Sequence, residues 1–319
     1  MTQPVATDSS ASISWDQAVG RLRRKSLRMR LLIGVLETVA NISPRARLRL
    51  GAALAGLAPW LIRPRVAIVE RNLELCFPER TAAQRRALLR AHLRALAQSF
   101  VDRSVFWFGS PEAIRQMITV TGHEQVPGLI AKHGSVLLLA PHFVGLDAAA
   151  TRLTMQGPEG ATMYSPQSNP DIDALVRLGR SRVHVVHLVS RRDGIRALLR
   201  YISDHLPVYY LPDMDFGRRG AVFAPFFGIE AATQTSTAQI AGKWKLPVLP
   251  VLCFWDATTG HYRVEVRAPL ADFPGDDTPL EATIRLNRHI EGWVRECPEQ
   301  YYWVHRRFKT RPSGQPRLY

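Results

Sequence analysis

Cysteine is scarce in this chain of 319 residues: Cys76, Cys253 and Cys297 are odd in number, far apart and outside any CxxC or Cys/His spacing. A disulfide framework and a zinc ribbon are therefore excluded, and buried thiols in a reducing compartment, hence cytoplasmic residence, are expected. Long hydrophobic runs are missing as well. The uncharged stretch Leu50–Ile62 has 13 residues and holds Pro59, short of the roughly 20 that span a bilayer. Met1 to Gly20 is polar and the Arg-rich run comes after it, so the charge-then-apolar order of a secretory peptide is absent. No GxSxG turn, P-loop or dinucleotide fingerprint occurs, which leaves a serine hydrolase and a nucleotide-binding enzyme unsupported. Acid is in deficit too. With 27 Asp+Glu against 42 Lys+Arg the net charge is +15, which calls for an anionic partner: nucleic acid, a phospholipid surface or an acidic carrier protein.

What is present is enough for a large core, since 46% of residues are of hydrophobic types, and disorder is excluded. The positive charge is concentrated near one end. Between Arg21 and Arg65 eleven basic residues face one acid, Glu37. Basic residues flanking the short apolar stretches Leu31–Leu36 and Leu50–Ile62 suit an interfacial membrane anchor, because buried apolar area and attraction to anionic head groups add. Two amphipathic core helices with solvated arginines fit the same pattern.

Residues before Gly134 read as helical, with apolar steps of three and four over Leu27–Asn41, Leu48–Ile62, Val66–Leu75 and Thr81–Val105. After Gly134 short apolar runs (Val136–Ala140, Val183–Val189, Val208–Leu211, Leu246–Trp255) alternate with helix-like segments. That alternation predicts an α/β fold: a mainly parallel, mixed sheet flanked by helices, behind an N-terminal helical membrane-attachment segment. The period-two stretch from His261 to Arg267 reads as an edge hairpin strand. The expected organisation is a polar and basic tail over 1–26, the helical attachment over 27–65 and one catalytic domain over 66–319.

The segment Val136-Leu-Leu-Leu-Ala-Pro-His-Phe-Val-Gly-Leu-Asp147 carries the most chemistry: a buried strand, a break at Pro141, then His142 and Asp147. Ligands of open α/β sheets gather at strand carboxyl ends, where this histidine emerges. Helix positions five apart differ by about 140° and cannot meet. The spacing therefore predicts His142 in the turn and Asp147 in the first helical turn, folded back to fix the imidazole tautomer and leave a general base. Ordinary turn and helix-start residues would have the same spacing. Asp213 and Asp215 follow another apolar run; two such carboxylates can hold Mg²⁺, but an acidic loop is the plainer reading and no metal is expected. Arg180 and Arg182 close a helical segment, facing either the helix dipole or a captured phosphate or carboxylate. The stretch from His305 to Arg311 sets cations beside Tyr301, Tyr302, Trp303 and Phe308, as a nucleic-acid or lipid-phosphate patch would.

Four blocks together resemble the bacterial lipid A secondary acyltransferases: Arg71-Asn-Leu-Glu-Leu-Cys-Phe-Pro78, the His142/Asp147 element, Asp213-Met-Asp-Phe-Gly217, and the 15 residues from Pro298 to Pro312. The resemblance runs from about Leu31 to the end. It implies an enzyme on the cytoplasmic face of the inner membrane that moves a fatty acyl chain from acyl carrier protein to a hydroxyacyl hydroxyl of a Kdo-bearing lipid A precursor. It implies His142 as catalytic base, Asp147 as its charge-relay partner, and Arg180 and Asp213 as polar active-site residues, with no cofactor. Members more often carry Glu at the position of Asp147, and usually one N-terminal membrane helix; here Pro44 and nearby arginines interrupt that tract.

With that resemblance, the backbone N–H groups of Phe143 to Gly145 or the Arg180 guanidinium become the oxyanion donors. Arg306 and Arg307 are expected to bind the acceptor, so neutralising them should raise its KM. Phe223, Phe226, Phe227, Trp244 and Phe254 are expected to set chain length. Acyl carrier protein, anionic membrane lipid and the lipid A precursor are the expected partners, and nucleic acid is not. A glycerolipid or aminolipid O-acyltransferase shares His142 and Asp147, and a basic non-enzymatic module binding membrane or nucleic acid shares the charge; both stay open at this point.

Overall fold

The most apolar runs after Gly134 form the centre of a seven-stranded sheet, in a computed structural model that describes residues 14–319. Helices α1 (Trp15–Lys25), α2 (Leu27–Asn41), α3 (Pro44–Leu61), α4 (Arg63–Cys76), α5 (Ala82–Phe108) and α6 (Pro111–Met117) come first. Strand β1 (Ile118–Thr121), α7 (Gln125–His133), β2 (Leu137–Leu139), α8 (Leu146–Thr154), β3 (Gly160–Tyr164), α9 (Pro170–Arg180), β4 (Val186–Ser190), α10 (Ile195–Ser203) and β5 (Val208–Tyr210) follow. A separate hairpin of β6 (Ala221–Phe226) and β7 (Ile229–Gln234) precedes α11 (Ser236–Trp244), β8 (Val248–Trp255), β9 (Tyr262–Val266) and α12 (Pro279–Glu296).

The sheet order is β1-β9-β8-β2-β5-β3-β4. Strands β8, β2, β5, β3 and β4 run parallel, while β9 is antiparallel to β8 and parallel to β1. This is the expected α/β architecture. Two details differ. The 261–267 stretch is not at the edge, because β1 lies outside it, and the stretch before Gly134 is not wholly helical for the same reason. A four-residue strand whose partner lies some 140 residues away carries too little local pattern to be read. The β6–β7 hairpin turns through Phe227 and Gly228, both at positive φ (51° and 73°), as a two-residue hairpin turn requires.

Helix starts follow their capping residues. Thr81 with Gln84 and Thr278 with Glu281 form reciprocal capping boxes at α5 and α12, satisfying N–H groups that a helix start leaves unpaired. Helix α5 is buried on most sides in its second half, from His92 to Trp107, as befits a helix enclosed by others.

The stretch expected as a polar tail contains α1, whose Val19 and Leu22 join the main core with Met29 and Ile33 of α2; residues 1–13 of that tail lie outside the described residues. The outer faces of α2 and α3 are apolar. Leu27, Leu31 and Val35, spaced four apart on α2, are 58–60% exposed, and Leu57, Trp60 and Leu61 on α3 are 46%, 78% and 69% exposed. Arg28, Arg30, Arg45, Arg49, Arg63 and Arg65 around them are exposed. Among the described residues no single helix is long and apolar enough to cross a membrane, and α3 with α4 reaches that length only as a pair bent by 94°.

Candidate active site

Strands β2 and β5 are neighbours in register, Leu139 opposite Tyr210. Each then continues through an apolar residue and a proline to a polar one: Ala140-Pro141-His142 and Leu211-Pro212-Asp213. Equal offsets from a shared register bring the two polar ends together. The Nδ1 of His142 donates to Oδ1 of Asp213 at 2.7 Å, and the His142 backbone N–H donates to Oδ2 at 2.9 Å.

Asp213 is buried, which raises a carboxyl pKa; the charge of His142, its two hydrogen bonds and the Tyr301 hydroxyl outweigh burial and hold the group below its ordinary value. An ionised acceptor on Nδ1–H puts the lone pair on Nε2, which has no protein partner among the described residues. His142 lines a cavity of about 1460 Å³. That exceeds the roughly 300–1,000 Å³ of a drug-sized pocket. Leu96, Phe100, Leu138, Leu153, Met163 and Leu188 supply apolar wall. The arrangement can take a proton from a hydroxyl beside a long apolar chain.

Asp147 does not fold back onto the imidazole. Its carboxylate lies between two guanidinium groups: Arg180 donates to Oδ1 through Nη2 at 2.9 Å and Nε at 3.2 Å, and Arg103 reaches Oδ2 at 2.7 Å. Burial pushes this acid up, but the two positive charges prevail and hold it at about 2. The first turn of α8 aims Asp147 at α5 and the end of α9, while β5 fills the place beside His142. Arg103 escaped the sequence reading because nothing local marks one arginine of α5 among its neighbours.

Two pieces of the C-terminal block brace the histidine loop. The Tyr302 N–H donates to His142 O and the Val144 N–H to Gln300 O, both at 2.8 Å. Gln300 in turn exchanges two 2.7 Å hydrogen bonds with the Trp255 backbone. Asn72, from the first block, donates to Trp303 O and His305 O at 2.7 and 2.8 Å. Asp215 accepts from Gly217 and Thr310, not from the surroundings of Asp213, so the two acids do not form a pair of metal ligands. His305 accepts from the Asp215 N–H at 2.9 Å; burial, with the charge of Arg307 next, lowers its pKa to about 4.

Several expected site residues lie elsewhere. Arg307 is 2% exposed and donates to Ala232 O and Thr233 Oγ1 of β7, at 2.9 and 2.6 Å; it pins the hairpin and does not line the cavity. Arg306 is exposed beside the Tyr319 ring, also outside the cavity. The Phe143 N–H is committed to Pro141 O at 2.6 Å, which removes it as an oxyanion donor. Gly145 packs on Cys253, where an added Cβ would lie 2.6 Å from Sγ. Phe223, Phe226, Phe227, Trp244 and Phe254 are outside the cavity lining. Phe226 and Phe227 belong instead to an aromatic cluster with Tyr301 and Trp303.

The family model for bacterial lipid A biosynthesis acyltransferases matches residues 21–310. The chain belongs to that family. It is 34% identical over 288 residues to the lipid A biosynthesis lauroyltransferase of Escherichia coli K12, covering 90% of this chain and 93% of that protein. The palmitoleoyltransferase of the same organism is 30% identical over 271 residues (85% and 87%) and the myristoyltransferase 30% over 248 (78% and 76%). The protein is thus an acyltransferase, and the four sequence blocks named above take distinct positions: two around the cavity and two as its braces.

Proposed function

We propose that this acyltransferase moves a fatty acyl chain from the thioester of acyl carrier protein to a hydroxyl on an acyl chain of a Kdo-bearing lipid A precursor. The single observation that carries the reading is His142, oriented by Asp213, in the wall of a cavity large enough for an acyl chain. Nε2 of His142 takes the hydroxyl proton as the oxygen attacks the thioester carbonyl. The tetrahedral oxyanion is met by the Arg180 guanidinium, which lines the cavity. Collapse breaks the C–S bond, and the departing thiolate takes the proton back from the imidazolium. No acyl-enzyme and no cofactor are needed, because the thioester arrives activated.

The site of action is the cytoplasmic face of the inner membrane, with α2 and α3 lying in the interface. Exposed Leu27, Leu31, Val35, Trp60 and Leu61 enter the acyl boundary while the surrounding arginines meet anionic head groups. Acyl carrier protein, itself acidic, meets the remaining positive surface. The test is acyl transfer from labelled acyl carrier protein to a Kdo-lipid A precursor by the wild type and by His142→Ala. Loss of turnover by about 10²–10⁴-fold in a folded variant is expected for a positioned base; near-normal turnover refutes the assignment.

A further inference from the structure

Arg103 stands in the cavity wall with most of its donors unspent. One Nη2 contact holds Asp147 Oδ2 at 2.7 Å, its Nε is buried with no partner among the described residues, and its side chain is 27% exposed. The guanidinium is fixed by stacking, with its carbon 4.9 Å from the Phe100 ring centroid and 5.7 Å from that of Trp107. Arg180 already balances the single charge of Asp147 through two hydrogen bonds. The Arg103–Asp147–Arg180 group is therefore net positive, in a cavity that, among the described residues, four more arginines (Arg191, Arg192, Arg196, Arg219) line with two further carboxylates, Glu124 and Asp193. A preoriented guanidinium fork with spare N–H groups is matched to tetrahedral phosphate oxygens.

We propose that Arg103, aimed by Asp147, binds a phosphate group of a substrate; this rests on the acyl-transfer reading above. Both proposed substrates can bring one: the phosphodiester of the carrier's phosphopantetheine arm, or a phosphate monoester on the lipid acceptor. Matched substrate pairs separate the sources. One pair is an acyl thioester of 4′-phosphopantetheine and of pantetheine; the other is the acceptor with and without its phosphates.

Arg103→Gln is expected to lower kcat/KM by about 10–100-fold for the phosphorylated member of one pair, as the loss of a charge-assisted hydrogen bond implies. The unphosphorylated member should change by no more than about twofold, and the pair affected names the source. Equal losses for both members, or no preference for phosphate by the wild type in either pair, overturn the proposal. Should Arg103→Gln fail to fold, Arg103→Lys takes its place, since it keeps the charge and removes the fork; a loss confined to the phosphorylated member then supports the proposal and an equal loss overturns it. If the wild type transfers no acyl group in any pairing, the acyl-transfer reading fails separately. Thermal unfolding with inorganic phosphate then decides: a rise in Tm for wild type and none for the variant supports the site, and equal shifts overturn it.

Discussion

Exchanging Asp213 for Asn separates the two acids that compete for the role of imidazole partner. Asp213 accepts from both Nδ1 and the backbone N–H of His142, at 2.7 and 2.9 Å, and from the Tyr301 hydroxyl. An amide offers a single acceptor oxygen and no charge. If that oxygen stays on Nδ1–H, the tautomer survives, but the imidazolium formed during proton transfer loses its counter-ion. At an effective dielectric of about 20 and a separation of about 4 Å that interaction is worth about 4 kcal/mol, or ~10³-fold in kcat. If the NH₂ turns toward Nδ1, the proton is forced onto Nε2 and the base itself is lost, at about 10²–10⁴-fold. Both orientations lead to a loss near 10³. Asp147→Asn leaves the imidazole alone and keeps one acceptor oxygen for Arg180, which bonds only Oδ1, while Arg103 loses its partner on Oδ2; kcat should fall by no more than about tenfold, with the larger change in KM. Steady-state transfer from labelled acyl carrier protein, with unfolding midpoints to show that each variant is folded, measures the contrast. A ~10³-fold loss in Asp147→Asn, with Asp213→Asn within tenfold of wild type, refutes the assignment of Asp213.

Two further perturbations test the surface and the hairpin. Trp60→Ser with Leu61→Ser removes side chains that are 78% and 69% exposed; partition into vesicles containing anionic lipid should weaken by about 3 kcal/mol, or ~100-fold, with the unfolding midpoint unchanged. Co-flotation measures it, and undiminished binding assigns the membrane contact elsewhere. Arg307→Ala removes a buried donor to Ala232 O and leaves Thr233 Oγ1 accepting only the long 3.5 Å contact from Asn287, and should cost about 3 kcal/mol in urea unfolding; Arg306→Ala should change stability by less than about 0.5 kcal/mol.

Sequence pattern sufficed where the signal was local and periodic. Helix α2 occupies the very stretch read from its three- and four-residue steps, Leu27–Asn41, and β2, β5 and β8 fall inside the apolar runs assigned to them. What pattern could not supply was register. The partner of His142 is set by the pairing of Leu139 with Tyr210 across some seventy residues, a distance at which spacing along one segment is silent. A trace of it was nonetheless present: the apolar–Pro–polar endings at His142 and Asp213 are alike, and two strands with the same exit are candidates for adjacent, aligned neighbours. Arg307 departs from expectation for a different reason. A basic cluster looks the same in sequence whether its cations face water or, as here, reach inward to a hairpin backbone.

The exposed apolar side of α3 and the cavity are connected through one helix. On α5, Asp102 and Arg103 are adjacent but point into different neighbours. Asp102 accepts from Gln98 Nε2 and from the Tyr262 hydroxyl, both at 2.9 Å, and lies 3.6 Å from Nε of Arg47 on α3. Burial lifts its pKa to about 6 against those hydrogen bonds and the charge of Arg47, so the folded state bears a cost for keeping an acid there. Gly51 permits the close approach, since a Cβ at that position would lie 2.1 Å from Gln98 Oε1. The outer side of α3 carries Trp60 and Leu61, while α5 brings Phe100 and Arg103 to the cavity wall. With α3 resting on lipid as proposed, an acceptor anchored in the bilayer meets the cavity at a height fixed by how α3 is joined to α5. The buried Arg47–Asp102 ion pair and the close packing of Gly51 on Gln98 fix that height directly, because the helix proposed to rest on lipid is packed on the helix that forms the wall.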